Sequence, residues 1–188
     1  KDADSGVNAG TIAVTVDGTA VSTVTKTAID GGYKCTCTSP TLKDGSHTIS
    51  VKASDNDGNA AAAKTATFTV DTVPPTLQIT APSNDLITNK KTVTVSGKTD
   101  DVSSKPVTVT VNGATVTVGT DGTFTKDVTL AEGASTITIV AKDKAGKTTT
   151  VTRKVTVDTS APVIKSITLT PNPVDCGKTF IIAVEITD

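Results

Sequence analysis

Short runs of alternating apolar and polar residues recur along the whole chain. Residues 11–16, 47–51, 64–70, 91–95, 107–111, 114–118, 136–139, 150–157 and 180–186 all repeat with period two. One side of each run is Val, Ile or Phe, and the other is Thr, Ser or Lys. That pattern predicts antiparallel strands with one face in a core and one in water. Asp17-Gly18, Asn112-Gly113 and Asp121-Gly122 interrupt the runs where tight hairpin turns are expected. No segment sustains a 3.6-residue apolar repeat, so the expected fold class is all-β. Threonine occupies about one position in five, and its β-branched side chain suits a pleated surface better than a helix.

The runs also repeat on a longer scale. Residues 42–53 read in step with residues 130–141 at an offset of 88. Val70-Asp71-Thr72 returns as Val157-Asp158-Thr159 at an offset of 87. A period of that length, filled with short strands and turn signals, fits a tandem array of β-sandwiches. The repeat divides the chain into residues 1–71, 72–158 and 159–188. The middle segment is a complete module. The first lacks the two opening strands of a module, A and B, and the last contains only those two.

The residues themselves carry a family resemblance. The linkers Val-Asp-Thr-Val-Pro-Pro at 70–75 and Val-Asp-Thr-Ser-Ala-Pro at 157–162 are similar to those of bacterial Ig-like repeats. So are Val-Thr-Val-Asn-Gly at 109–113, Thr-Asp-Gly-Thr-Phe at 120–124 and the Asp-Lys-Ala-Gly turn at 143–146. The resemblance spans essentially the whole chain. It implies tandem Ig-like sandwiches in an extracellular or cell-surface protein, where such modules act mostly as stalks and spacers of adhesins and secreted proteins.

The unequal ends allow two readings. In one, the chain is a segment of a longer spacer. In the other, residues 159–188 of one subunit complete residues 1–71 of the next, giving a head-to-tail fibre whose only partner is itself. Phe180, Ile182, Val184 and Ile186 are the side chains expected to enter the neighbour. Burial of four such groups contributes roughly 6–12 kcal/mol gross before ordering costs are subtracted.

Three cysteines, an odd count, bear on that joint. Cys35 and Cys37 flank Thr36 on the same side of a strand, a poor geometry for bonding each other. Cys176 lies between the two closing strands and could pair with Cys35 or Cys37 of a neighbouring chain. The alternative is three idle thiols.

Charge and composition narrow the chemistry. Eighteen basic against nineteen acidic residues leave a net charge of -1, without the basic face that nucleic acid requires. No apolar run is long enough to insert in a membrane. Aromatics amount to 2%, so stacking platforms for bases or sugars are scarce. A single histidine, His47, and two glutamates, Glu132 and Glu185, imply no acid–base pair at a common pocket, and no enzyme is expected. No cofactor is expected beyond a candidate calcium ion. Asp55, Asp57 and Asp71 are the candidate ligands at the first linker, with Asp100, Asp101, Asp143 and Asp158 falling near other module ends. Lys144 and Lys147 beside Asp143 count against a site there.

Overall fold

The computed structural model describes residues 5–38, 40–170, 172–173 and 175–188. Every regular element among them is a strand, and no helix is long and apolar enough to cross a membrane. The chain divides into two compact units. One takes in residues up to Thr76 with Asp100–Val107 and Ala141–Thr149, and the other takes in Leu77–Thr99, Thr108–Val140 and Thr150–Asp188.

The first stretch of chain forms strands β1 (Val7–Val16), β2 (Thr19–Ala20), β3 (Val24–Ile29), β4 (Gly32–Cys37), β5 (Gly45–Asp55) and β6 (Lys64–Val70). Four of them make a sheet in the order β2-β1-β5-β6, and β3 pairs with β4 in a separate hairpin. Asp17 and Gly18 turn β1 into β2 with φ of 50° and 79°. Two consecutive positive φ values match the right-handed twist of the paired strands.

The middle stretch forms β7 (Thr76–Ala81), β8 (Leu86–Thr88), β9 (Thr92–Asp100), β10 (Thr108–Val111), β11 (Ala114–Val116), β12 (Thr123–Thr129), β13 (Gly133–Lys142) and β14 (Thr148–Val157). A five-stranded sheet runs β11-β10-β13-β14-β8, with β8 parallel to β14, and a three-stranded sheet runs β12-β9-β7. Their inward side chains make the core: Val95, Val109, Ile137 and Ile139 are completely buried. Gly97 lets this core close. A Cβ there would collide with the carbonyl oxygen of Gln78 and stand 2.8 Å from Cζ of Phe124.

Burial differs sharply between repeat positions of like sequence. Ile139 is fully buried, whereas Val51, 88 residues earlier, is 36% exposed. Val155 is 1% exposed, whereas Phe68, 87 residues earlier, is 37% exposed. In the middle stretch the β12-β9-β7 sheet covers these positions. In the first stretch the described residues form the β2-β1-β5-β6 sheet and the two-stranded β3-β4 hairpin, without a counterpart of the three-stranded sheet.

The last stretch is a hairpin of β15 (Val163–Thr170) and β16 (Ile181–Thr187), exposed at every residue. Its register pairs Ile164 with Ile186, Ile167 with Val184, and Leu169 with Ile182, so these six side chains share one face. A latch recurs in front of each linker. Asp44 accepts from the amide and hydroxyl of Thr72, and Glu132 accepts from the amide and hydroxyl of Thr159 at 2.8 and 2.7 Å. These bonds hold the Glu132 carboxyl below its ordinary pKa.

Candidate metal centre

Three aspartates close on one point. Asp71 follows β6, Asp101 follows β9 and Asp143 follows β13, each where a strand gives way to a loop. Each first serves its own loop through one oxygen. Asp71 Oδ1 accepts from Val73 N at 3.1 Å, and Asp143 Oδ1 accepts from Lys147 N at 2.8 Å. Asp101 Oδ1 accepts from Ser103 N at 2.9 Å and Ser104 N at 2.7 Å. Ser104 ties the loops together: its hydroxyl accepts from Ala145 N at 2.8 Å and its carbonyl from Lys144 N at 3.0 Å.

The three carboxylates are 7%, 5% and 5% exposed and each offers an oxygen within 4.8 Å of the others. Asp71 Oδ2 and Asp143 Oδ2 are buried without any hydrogen-bond partner. Among the described residues none of the three carboxylates is in an ion pair, and nearby Lys105 is engaged with Asp100 at 2.8 Å. Two like charges at that spacing repel by about 3 kcal/mol even at an effective dielectric of ~20. Buried charges are normally paired or bound to metal.

The donor set fits a hard divalent cation. Calcium binds oxygen at about 2.3–2.6 Å, so two oxygens on one ion stand up to roughly 5 Å apart. Magnesium, at about 2.0–2.1 Å, limits that spread to roughly 4 Å. An all-oxygen set without His or Cys disfavours zinc.

The structure does not bring Asp55 and Asp57 to this point. Asp57 is exposed on its turn. Asp55 heads a turn built like that of Asp143. Asp55 N donates to Asn59 O at 3.0 Å as Asp143 N does to Lys147 O at 3.0 Å, and Gly58 and Gly146 each close their turn at 3.3 Å. The difference lies in the fifth residue. Asn59 gives both its amide N–H and its side-chain Nδ2 to Asp55, each at 2.7 Å, and so occupies both carboxylate oxygens. The side-chain bond from Asn59 leads in holding Asp55 below its ordinary pKa. Lys147 offers Asp143 only its backbone N–H, which leaves Oδ2 free. The lysine that counted against the site in the sequence is the residue that frees its ligand.

Other candidate residues lie apart. Asp100 is exposed beside Lys105, and Asp158 repeats the Asp71 turn by accepting from Ser160 N at 3.0 Å. Cys35 and Cys37 sit on β4, the first half-buried and the second exposed; Cys176 is exposed, and all three are free thiols. Phe180, Ile182, Val184 and Ile186 are 49–58% exposed. His47 is not a free base: its Nδ1 lies 2.6 Å from Asp17 Oδ2 and its Nε2 2.8 Å from Lys43 O.

Comparison with known proteins agrees with the architecture. Residues 4–72 match the sequence model of a family described as bacterial Ig-like domain. Over that stretch the chain is similar to a bacterial Ig-like domain. Residues 75–159, the second repeat, match the family described as glucodextranase, domain B. The chain is 33% identical over 143 residues to Bacillopeptidase F of Bacillus subtilis (strain 168), covering 76% of this chain and 10% of that protein. It therefore spans about a tenth of the length of that relative. Among solved structures it is similar to fibronectin(III)-like modules of Clostridium thermocellum CbhA, at a TM-score of 0.48 and 17% identity over 84% of this chain and 82% of that one. It is also similar to a tetra-tandem repeat in the extending region of a large adhesion protein, at a TM-score of 0.39 and 22% identity over 93% and 54%.

Proposed function

We propose that this chain is a non-enzymatic, extracellular structural segment, a spacer of Ig-like repeats whose linker is fixed by a bound calcium ion. The supporting observation is the pair of buried, unpartnered oxygens on Asp71 and Asp143 beside Asp101. Asp71 belongs to the linker at residues 70–75, while Asp101 and Asp143 directly follow β9 and β13. A cation held by all three replaces their repulsion with attraction and ties the linker to the two loops. The chain's own contribution is to pre-place the carboxylates. Each Oδ1 is fixed by backbone N–H groups, so little ordering is left for binding to impose.

Limited proteolysis tests this directly. With calcium, cleavage within residues 70–75 should slow at least tenfold relative to chelator, and Asp101→Asn should cut at the chelator rate in both. Equal cleavage rates with and without calcium contradict the proposal.

A second reading, end-to-end assembly into a fibre, is favoured by the bare apolar face of β15–β16. A disulfide between Cys176 and Cys35 or Cys37 of a neighbouring chain would lock such a joint. A ladder of 19.0 kDa multiples on a detergent gel, lost on reduction, supports the lock. A single band in both lanes removes it.

A further inference from the structure

Asp71 stands next to the residue that the Asp44 latch holds, and that latch leads back to the single histidine. Gly45 pairs with Val70 at the end of the β5–β6 ladder, so Asp44 falls beside the start of the linker. Its carboxylate accepts from Thr72 N at 3.1 Å and from Thr72 Oγ1 at 2.9 Å. The carbonyl oxygen of the preceding residue, Lys43, lies 2.8 Å from His47 Nε2. On the other side of the ring, His47 Nδ1 lies 2.6 Å from Asp17 Oδ2, and the histidine side chain is only 11% exposed. A path from the imidazole to the candidate ligand Asp71 thus runs through Lys43, Asp44 and Thr72, all within one compact unit.

We infer that His47 regulates the calcium site: its protonated ring fixes the Lys43–Asp44 segment, and with it Thr72 and Asp71, while the neutral ring releases them and weakens calcium binding. This rests on the calcium reading above and gives it a pH dependence. With both nitrogens protonated, the ring donates to Asp17 and Lys43 at once. On losing one proton it keeps the other on the side of the Asp17 carboxylate, the stronger acceptor. The Nε2 lone pair then faces the Lys43 carbonyl oxygen, and two acceptors repel. Among the described residues Asp17, on the β1–β2 turn, is the charged partner of the ring. On β6 the ring meets its register partner Phe68, which carries no charge, and the carboxylate of nearby Asp44 is engaged by Thr72. Asp17 first and the Lys43 carbonyl second raise the His47 pKa above 6.5. Calcium affinity is therefore fully present below 6.5 and falls as pH rises through the folded value. By reciprocity, calcium raises that value. A site governed only by its carboxylates does the opposite, gaining affinity with pH as its ligands lose protons.

Calorimetric titration of calcium into the chelator-stripped 188-residue chain at about pH 6 and about pH 9 reads the coupling. Affinity should be about fivefold weaker at the higher pH, and His47→Gln should bind with one affinity at both. The same coupling is visible from the other end. His47 is the only histidine, so its ring-proton NMR signals titrate without overlap. Calcium should raise its pKa by about 0.7, the fivefold factor in logarithmic form. Direct repulsion between the ion and the imidazolium would lower it, so the sign separates the two causes. Asp44→Ala cuts the path and Thr72→Val weakens it, while the ring and Asp17 stay in place. Calcium should leave the His47 pKa unmoved in the first and shift it less in the second, a pattern that general destabilisation does not give. Equal affinity at both pH values, or a His47 pKa unmoved or lowered by calcium, overturns the inference and leaves the linker proposal standing. A full upward shift in Asp44→Ala also overturns it, since the coupling then bypasses the latch. A chain that takes no calcium at either pH overturns both.

Discussion

His47 and Asp17 are joined by a 2.6 Å contact between Nδ1 and Oδ2. The other ring nitrogen faces the carbonyl oxygen of Lys43 at 2.8 Å. Both partners offer acceptor oxygens, so the two contacts are satisfied together only when both ring nitrogens carry protons, and the geometry favours the imidazolium form. Asp17 leads in raising the His47 pKa above 6.5, and His47 leads in lowering that of Asp17 below 3.8. The ring lies against Phe68, tilted by 34° with centroids 5.6 Å apart, and Asp17 also accepts from Thr48 N at 2.9 Å.

The signs define a window. Stability from the raised histidine is fully present below 6.5 and is lost as pH rises through its folded value. Stability from the lowered aspartate is present above 3.8 and is lost as pH falls through its folded value. The pair contributes most between those two pH values. Melting temperature followed from about pH 5 to about pH 9 should fall for the parent more than for His47→Gln. Parallel curves would show that the contact carries no net stability.

Ile139 and Val51 occupy like positions in unlike surroundings. Ile139→Ala should cost about 2–5 kcal/mol, since it empties a fully buried site. Val51→Ala, at a site already 36% exposed, should cost less than about 1 kcal/mol. Calorimetric unfolding of both variants checks this, and equal costs would mean that β5 is covered in solution by something absent from the isolated chain.

Gly97 makes a sharper local test. An added methyl would collide with the Gln78 carbonyl and press on Phe124. Gly97→Ala should destabilise by about 1–3 kcal/mol, against the usual gain from replacing a strand glycine. A neutral or stabilising result in urea unfolding contradicts the packing described.

The strands were legible because their alternation is strict: β1, β5, β6, β9, β13, β14 and β16 all carry period-two runs. β8 was not, since three residues cannot display a period. β3 escaped because it buries little, and burial is what writes an apolar pattern into a strand. The candidate metal centre was half legible. Asp71 stood out in its linker, but Asp101 and Asp143 lie 30 and 72 residues further on, and only strand order brings them to it. Asp55 looked equally suited, and the side chain of Asn59, which caps it, is a single-residue difference that no spacing argument weighs.

The central claim is that Asp71, Asp101 and Asp143 form a cation site, and a stability crossover tests it most directly. In chelator, Asp143→Asn should melt above the parent, because one repelling charge is gone. With calcium in hundredfold excess over its dissociation constant, the parent should gain about 2.7 kcal/mol and overtake the variant. A parent unmoved by calcium, with Asp143→Asn ranked the same way in both buffers, would contradict the account.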